Sequence, residues 1–204
     1  MKSLWLALPL FLASACNCTD CGQGAGATAT APKGWIPGET NGAGKPASWL
    51  FVADPIDGEV LRVVSGNTGH TYNVEQSFET YGPDVEIVTR LRADGGLEDQ
   101  GGGVLWRAKD ANNYYLSRWN PLENNLRIYK VEAGKRTQLA SISGELPGGW
   151  LNFTVTMKGA SILVTCGTLS LGVEDTTFTE AGKVGLWTKA DASTSFSLPK
   201  VRTL

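Results

Sequence analysis

The sequence predicts an all-β chain folded as an antiparallel β-sandwich. Polar and apolar residues alternate in nine short stretches between residues 59 and 201, which is the period-two pattern of strands with one buried face. Glycine-rich turns such as Asp94-Gly95-Gly96 and Pro147-Gly148-Gly149 separate these stretches and supply the reversals that hairpins need. No stretch of about twelve residues carries an apolar stripe of helical period. Short strands separated by turn residues are typical of sandwiches and barrels.

The composition fits this class and excludes some functions. The chain has 204 residues, of which 42% are hydrophobic and 19% charged, so it is long and apolar enough for one packed domain. Eighteen Lys and Arg residues against twenty Asp and Glu residues give a net charge of -2. A protein that binds nucleic acid through a basic surface needs a cluster of positive charge, so we expect no nucleic-acid partner.

The N-terminus has the features of an export signal over residues 1–15. Lys2 supplies a positive charge, and the apolar run Leu4–Leu12 is too short to cross a membrane core of about 30 Å as a helix. Ala13-Ser14-Ala15 then supplies the small residues that a signal peptidase requires. The alternative is that this segment forms a buried N-terminal helix of the domain.

Cys16 lies directly after these small residues, and the segment Leu12–Cys16 resembles a bacterial lipobox. The lipobox pattern has Leu three residues before the cysteine, whereas this chain has Ala13. The resemblance implies that Cys16 is lipidated and anchors the protein to a membrane, at about 0.8 kcal/mol per buried methylene. Asn17 in the next position implies the outer membrane of the cell envelope. Plain secretion or a periplasmic location is the alternative.

A flexible linker is predicted over residues 16–34, because Gly, Ala and Thr dominate and no apolar period could bury this segment. Cys18 and Cys21 have the spacing of zinc ligands, but a structural zinc site needs four ligands and only Cys166 and His70 remain. We therefore expect no metal, and either a local disulfide or free thiols. Cys166 ends an apolar alternation, which predicts a small buried core residue.

A single domain is predicted over residues 35–204, with no internal boundary and no repeat. The predicted strands are, in order, Glu59–Ser65, Asp84–Ala93, Val104–Ala108, Asn113–Asn120, Asn125–Val131, Trp150–Met157, Ser161–Cys166, Val184–Thr188 and Ser195–Val201. In the sixth of these, Leu151 and Phe153 share one face while Asn152 and Thr154 share the other. That alternation predicts one core face and one polar face.

The middle of this domain resembles a known superfamily. Gly103–Tyr115 follows the pattern G-x-x-x-R-A-x-D-x-x-N-Y-Y, and the turn Asn120–Arg127 reads N-P-L-E-N-N-L-R. With residues 181–192 and 44–61, these segments resemble the bacterial concanavalin A-like lectin/glucanase jelly roll, and within it LamG-like domains and 3-keto-disaccharide hydrolase-type domains. The resemblance implies a jelly-roll sandwich. It implies no single activity, because the superfamily holds enzymes, lectins and interaction modules.

The chain departs from this superfamily at two functional motifs. Its retaining glucanases carry an E-x-D-x-E strand, which this chain lacks; the neighbouring pairs Glu98-Asp99 and Glu174-Asp175 would point to opposite faces of a strand. Relatives often end a late strand with Phe-Asp-Asp beside a calcium ion. Here the segment is Phe196-Ser197-Leu198. A Ca²⁺ cofactor is therefore not supported, and the catalytic residues are unknown.

The residues that catalysis usually needs are scarce or isolated in this sequence. The only histidine, His70, lies in a predicted turn, so a serine triad has no evident base. Glycoside hydrolysis needs two carboxylates about 5–10 Å apart. The candidate carboxylates are Asp99, Asp110, Glu123 and Asp191. Asp110, Glu123 and Asp191 lie at turns or strand ends, where the alternative role is to stabilise the local backbone.

Sugar binding asks for aromatic faces and for planar or bidentate polar groups. The residues predicted to bind a carbohydrate ligand are Arg107, Tyr115, Arg118, Asn120 and Trp187, with Trp106, Trp119 and Tyr129 as further aromatic candidates. Strand parity puts Tyr114, Leu116, Arg118 and Asn120 on one face, opposite Tyr115, Ser117 and Trp119. We expect Arg107 and Arg118 to meet on one sheet. The alternative is that both form ion pairs and that the aromatic residues belong to the core; parity does not say which face is buried.

Three functions remain open from the sequence. The first is an exported, lipid-anchored carbohydrate-binding module of the cell envelope. The second is a glycoside hydrolase or lyase that acts on 3-keto-disaccharides or related glycosides, which the resemblance alone implies. The third is a structural or adhesive lipoprotein.

Overall fold

The computed structural model describes residues 34–77 and 79–204. The predicted signal, Cys16, Cys18, Cys21 and the linker up to residue 33 lie outside the described residues. Within the described ranges, no helix has the length and apolar character needed to cross a membrane.

Fifteen strands and one short 3-10 helix, Thr40–Gly42, occupy the described residues. The strands are β1 Trp35–Glu39, β2 Ser48–Asp54, β3 Gly58–Val64, β4 Tyr72–Ser77, β5 Val85–Gly95, β6 Gly102–Asp110, β7 Asn113–Asn120, β8 Asn125–Glu132, β9 Lys135–Ser143, β10 Leu151–Lys158, β11 Ser161–Cys166, β12 Leu169–Glu174, β13 Lys183–Lys189, β14 Ser193–Phe196 and β15 Lys200–Thr203.

These strands form two antiparallel sheets packed face to face, which confirms the predicted β-sandwich. The seven-stranded sheet has the order β1-β4-β13-β6-β7-β8-β9. The eight-stranded sheet has the order β12-β11-β10-β5-β14-β3-β2, with β15 paired to β5. Its β10 pairs with β11 on one side and with β5 on the other.

The last predicted strand is two strands in the structure. Ser197 interrupts the ladder because its backbone N–H donates to the carbonyl of Arg90 and its hydroxyl accepts from the backbone N–H of Arg90. Pro199, two residues later, has no N–H to donate. β14 and β15 therefore pair with successive parts of β5.

The main core lies between the sheets and follows the alternation of the strands. On β7, Tyr115 and Trp119 point inward, and Cys166 lies in the same core, as its alternation predicts. The even residues Tyr114 and Leu116 point outward and belong to a second hydrophobic cluster. Both faces of β7 are buried, so the seven-stranded sheet is covered on its outer side as well.

Five strands lie outside the period-two stretches of the sequence: β1, β2, β4, β9 and β12. β4 is the sharpest case, because Asn73, Glu75 and Gln76 are polar, yet every residue of this strand is buried. Strands β9 and β12 end their sheets and expose much of their length. These strands form because neighbouring ladders hold their backbones, which residue alternation does not report.

Candidate functional site

The outer face of the seven-stranded sheet carries a second hydrophobic cluster, where a solvent-facing sheet face is ordinarily polar. Its members are Tyr72, Val74, Leu105, Ala108, Tyr114, Leu116, Tyr129, Val131 and Trp187. The rings of Tyr72 and Trp187 lie 5.3 Å apart between centroids. The 3-10 helix covers one side of the cluster, where the hydroxyls of Thr40 and Tyr114 share a 2.7 Å hydrogen bond.

Arg136 lies over three of these aromatic rings. Its guanidinium carbon is 4.5 Å from the ring centroid of Tyr129, 4.8 Å from that of Tyr72 and 5.6 Å from that of Trp187. Cation–π contacts of this kind hold a guanidinium in place without neutralising its charge. The Nη1 atom of Arg136 is buried and has no hydrogen-bond acceptor among the described residues.

A second arginine, Arg118, is buried beside this cluster. Its side chain is 2% exposed, and its Nη2 donates to Oε2 of Glu123 over 2.9 Å. Nη1 lies 3.8 Å from Oδ1 of Asp99, which is close enough for an ion pair but too long for a hydrogen bond. Within the described part of the chain, neither Nε nor Nη1 of Arg118 has an acceptor.

Glu123 joins Arg118 to the neighbouring strand. Its Oε2 also lies 3.0 Å from Nη1 of Arg127 and accepts a 3.0 Å hydrogen bond from Asn125. Burial by itself would raise the pKa of the Glu123 carboxyl, but the hydrogen bond from Asn125 and the charges of Arg118 and Arg127 hold that pKa below its usual range. Glu123 is therefore ionised at neutral pH.

Asp99 is the second carboxylate of the site. It is 3% exposed, and it accepts hydrogen bonds from Nδ2 of Asn120 at 2.8 Å and from Nζ of Lys189 at 2.7 Å. The carboxylate of Asp191 accepts from the backbone N–H groups of residues 97, 98 and 99, which fixes the loop that carries Asp99. Asp191 therefore has the structural role that its position after a strand suggested.

The turn between β7 and β8 explains why Glu123 reaches Arg118. Oδ1 of Asn120 accepts from the backbone N–H of Leu122 at 2.8 Å and from that of Glu123 at 3.0 Å. This Asx turn closes the hairpin, and Asn124 then adopts a φ of 49°. The turn N-P-L-E-N-N therefore reverses the chain and places the Glu123 side chain beside Arg118 on β7.

Three of the five predicted ligand residues, Arg118, Asn120 and Trp187, lie on this outer face. Arg118 and Trp187 flank Gly103, which pairs with Arg118 on one side and with Trp187 on the other. Trp187 is completely buried, and its Nε1 donates to the hydroxyl of Tyr114 over 3.1 Å. It lies beneath Arg136 and is therefore not an open stacking surface.

Tyr115 lies on the opposite face of the sheet, inside the sandwich. It stacks on Trp106 with 5.8 Å between ring centroids, and its hydroxyl donates to Oδ1 of Asp175 over 2.6 Å. The structure therefore separates Tyr115 from Arg118, as the parity of their strand requires. Trp106 and Trp119 also belong to this inner core.

Arg107 does not meet Arg118, and that expectation is wrong. A bulge in β6 gives Arg107 a φ of 46°, which turns its side chain out of the row that Leu105 occupies. Its guanidinium donates to the carbonyls of Pro83, Phe178 and Gly159 and to the carboxylate of Asp84. These partners are distinct from those of Arg118, so Arg107 ties the two sheets together at a different place.

Each of the four candidate carboxylates has a hydrogen-bond donor or a cation as its partner in the structure. Asp110 accepts from Asn112 and Asn113 in its own turn, and Glu123 and Asp99 are held by cations. His70 is exposed in a turn. Residues 34–77 and 79–204 contain no group of three or more His, Cys, Asp or Glu side chains placed to hold a metal. At the late strand, Ser197 offers one hydroxyl already used by Arg90, so these residues do not fit a calcium ion.

Four residues of the site escaped the sequence analysis: Tyr72, Arg127, Arg136 and Lys189. Arg127 had a readable signal, because it shares a face of β8 with Tyr129 and pairs with Arg118 across the hairpin. Tyr72 and Arg136 lie on β4 and β9, which the alternation of residues does not reveal. Lys189 is the last residue of β13.

No family model matches the chain, and no curated protein matches it in sequence. Solved structures do match. The carbohydrate binding module CBM66 from Bacillus subtilis superposes with a TM-score of 0.66 at 19% identity, over 83% of this chain and 96% of that one. The Ca²⁺- and mannose-bound exoplasmic/lumenal domain of VIP36 gives 0.59 at 10% identity, over 84% and 83%.

Two further structures have the same architecture. A Bacillus subtilis protein of unknown function with a galectin-like fold gives a TM-score of 0.61 at 11% identity, over 84% of this chain and 90% of that one. The GH43 protein BlXynB from Bacillus licheniformis gives 0.58 at 12% identity, and the match covers 87% of this chain but 38% of that protein. The chain therefore shares its jelly-roll β-sandwich fold with these solved structures.

Proposed function

We propose that the outer face of the seven-stranded sheet binds carbohydrate, and that the protein is a binding module rather than an enzyme. The observation that carries this proposal is Arg118, a guanidinium with a 2% exposed side chain and two nitrogens that no described residue accepts from. A buried donor without an acceptor costs about 1–3 kcal/mol, and more when it is charged. A ligand that supplies the missing acceptors recovers this free energy on binding.

The groups around Arg118 match the chemistry of a sugar. Hydroxyl groups both donate and accept, so they complement the carboxylates of Asp99 and Glu123 as well as the free N–H groups of Arg118 and Arg136. The network among these side chains already fixes their geometry, which lowers the entropy lost on binding. The similarity of the fold to a carbohydrate binding module and to a mannose-bound lumenal domain supports the same conclusion.

The second part of the proposal concerns location. Three sequence features support a lipid-anchored protein of the cell envelope: an export signal over residues 1–15, a lipobox-like segment ending at Cys16 and a linker over residues 16–34. Asn17 favours the outer membrane.

The resemblance to LamG-like and 3-keto-disaccharide hydrolase-type domains is carried by the sequence motifs.

The test is native mass spectrometry of the full-length protein with a pool of oligosaccharides that includes 3-keto glucosides. Binding gives intact adducts without products. Product masses would make the protein a hydrolase or lyase, and the absence of both adducts and products would overturn the proposal in favour of an adhesive or structural role.

A pair of matched variants locates the site. Glu123→Gln removes a carboxylate that is 3.0 Å from Arg127, and Glu86→Gln removes one that is 3.0 Å from Arg202 on the other sheet. We expect Glu123→Gln to weaken glycan binding at least tenfold and Glu86→Gln to leave it unchanged. Equal effects of the two variants would show that the binding surface lies elsewhere.

A further inference from the structure

The outer-face site holds more positive than negative charge. The cations are Arg118, Arg127, Arg136 and Lys189, and the carboxylates within reach of them are Asp99 and Glu123. Four cations and two carboxylates give these six side chains a net charge of +2, and Arg136 is the one cation of the four without a carboxylate within 4.0 Å among the described residues. Elsewhere in the described residues, Arg202 pairs with Glu86, and Arg62 and Arg92 share Asp94.

Arg136 is the clearest unpaired charge. No Asp or Glu among the described residues lies within 4.0 Å of its guanidinium nitrogens, and its Nη1 is buried without an acceptor. The centroids of three aromatic rings lie within 5.6 Å of its guanidinium carbon, but these rings accept no conventional hydrogen bond. An arginine held in this way keeps its fork of N–H donors for a partner from outside the chain.

Tyr129 places these cations on one continuous surface. Its ring lies under Arg136, and its hydroxyl accepts a 3.4 Å hydrogen bond from Nη1 of Arg127. Arg127 in turn faces Arg118 directly across the β7–β8 ladder. The unpaired donors of Arg118 and Arg136 therefore belong to the same site.

We propose that the sugar bound at this site carries an anionic group, either the carboxylate of a uronic acid or a sulfate ester, and that Arg136 and Arg118 recognise it. This inference rests on the proposed function and names the class of its ligand. Carboxylate and sulfate oxygens match the spacing of guanidinium donors and can accept two parallel hydrogen bonds. The anion also offsets part of the excess positive charge, whereas a neutral sugar leaves all of it in place.

The experiment compares three sets of probes on the full-length protein by native mass spectrometry. They are neutral oligosaccharides from galactan, mannan and levan, uronate oligosaccharides from pectin and alginate, and sulfated oligosaccharides from carrageenan. We expect an acidic set to bind at least tenfold more tightly than the neutral set, with affinity falling as salt concentration rises. Whether the uronate or the sulfated set binds more tightly identifies the source of the anion.

The possible failures are distinguishable. If neutral oligosaccharides bind as tightly as acidic ones, the proposed carbohydrate binding stands and the inference about charge is overturned. If no set forms adducts, both are overturned.

Variants at Arg136 provide a second measurement. Arg136→Gln removes one charge from the site, and Arg202→Gln removes one from an exposed position on the other sheet, where the Arg202 side chain is 66% exposed. We expect Arg136→Gln to weaken the binding of acidic probes about tenfold more than the binding of neutral probes. Arg202→Gln should leave the affinity for both sets unchanged. Arg136→Lys keeps the positive charge but lacks the planar fork of N–H donors, so we expect this variant to retain part of the affinity for acidic probes. Thermal melts of each variant confirm that it is folded, and an equal loss for neutral and acidic probes counts against the inference.

Discussion

The ring of Tyr129 lies 4.5 Å from the guanidinium carbon of Arg136, while its hydroxyl contacts Arg127 at 3.4 Å. One side chain thus joins the aromatic part of the outer face to the charged part. This arrangement lets the sheet bury nine hydrophobic residues on its outer side and still present guanidinium donors above them. The candidate site and the second hydrophobic cluster are therefore a single structural unit.

We expect Arg107→Ala to destabilise the fold strongly without a specific effect on binding. The side chain of Arg107 is 2% exposed and donates to three backbone carbonyls, and its loss leaves those carbonyls without a partner. The expected loss is about 3–5 kcal/mol in the free energy of unfolding, measured by urea denaturation.

Arg202→Ala is the matched control, because the Arg202 side chain is exposed and its ion pair with Glu86 is worth about 0.5 kcal/mol or less. If Arg107→Ala were no more destabilising than this control, Arg107 would not tie the two sheets together.

Glu75 predicts an unusual dependence of stability on pH. It is completely buried on β4 beside Leu186, and its two carboxylate oxygens have no partner among the described residues. Burial raises the pKa of Glu75 from its ordinary 4.5 to about 8. A raised pKa favours folding while the group is protonated, so this stability is complete below pH 4.5 and is lost as the pH rises through 8.

We expect the free energy of unfolding to fall by about 1.4 kcal/mol per pH unit across the middle of this window. Glu75→Gln should remove that slope and make the protein more stable than the parent at pH 8. Glu174→Gln, which changes an exposed carboxyl, should leave the slope intact. Identical slopes for the parent and Glu75→Gln would mean that the pKa of Glu75 is the same in the folded and the unfolded protein.

The contribution of Asp175 to the free energy of unfolding should depend on pH in the opposite direction and should be lost in acid. Burial would raise the pKa of Asp175, but hydrogen bonds from Thr177 and Tyr115 outweigh it and lower that pKa to about 2. A lowered pKa stabilises the fold above the ordinary value of 3.8, and this contribution disappears as the pH falls through 2. Asp175→Asn should therefore cost about 1–2 kcal/mol at pH 7, with a smaller cost near pH 2.

Tyr115→Phe is the companion variant, since it removes the 2.6 Å hydrogen bond to Asp175 together with the 3.0 Å hydrogen bond that the Tyr115 hydroxyl accepts from the backbone N–H of Phe178. We expect it to raise the pKa of Asp175 toward its ordinary value, which NMR titration of the carboxyl carbon measures. An unchanged titration would show that Tyr115 does not hold this carboxylate.

Lipidation predicts that the protein partitions with membranes through Cys16. Cys16→Ala should release it into the soluble fraction of cells, and mass spectrometry of the parent N-terminus should show acyl chains added to a chain that begins at Cys16. Cys21→Ala is the matched control and should remain with the membranes. A parent protein found only in the soluble fraction would contradict lipidation and favour plain export.

Much of the fold could be predicted because alternation is a local property of the chain. The strands Asn113–Asn120 and Ser161–Cys166 have the predicted bounds, since turn residues border them on both sides. The candidate site could be predicted less well, because it is made by contacts between distant strands. Arg136 reaches the ring of Tyr72, sixty-four positions away in the chain, and no local pattern reports that contact.

The sequence by itself determined that the chain is all-β, that its strands have two distinct faces, and that Arg118 and Asn120 share one of them with Tyr114. Only the tertiary structure decided which face is the core. On β7 both faces carry large buried apolar side chains, with Tyr114 and Leu116 on one side and Tyr115 and Trp119 on the other. The hydrophobicity of the two faces of β7 is therefore similar, and the packing of the second sheet against one of them determines which face lies in the main core. The bulge that turns Arg107 away likewise depends on the tertiary structure. A positive φ at this residue is unfavourable, and the buried hydrogen bonds of its side chain offset that cost.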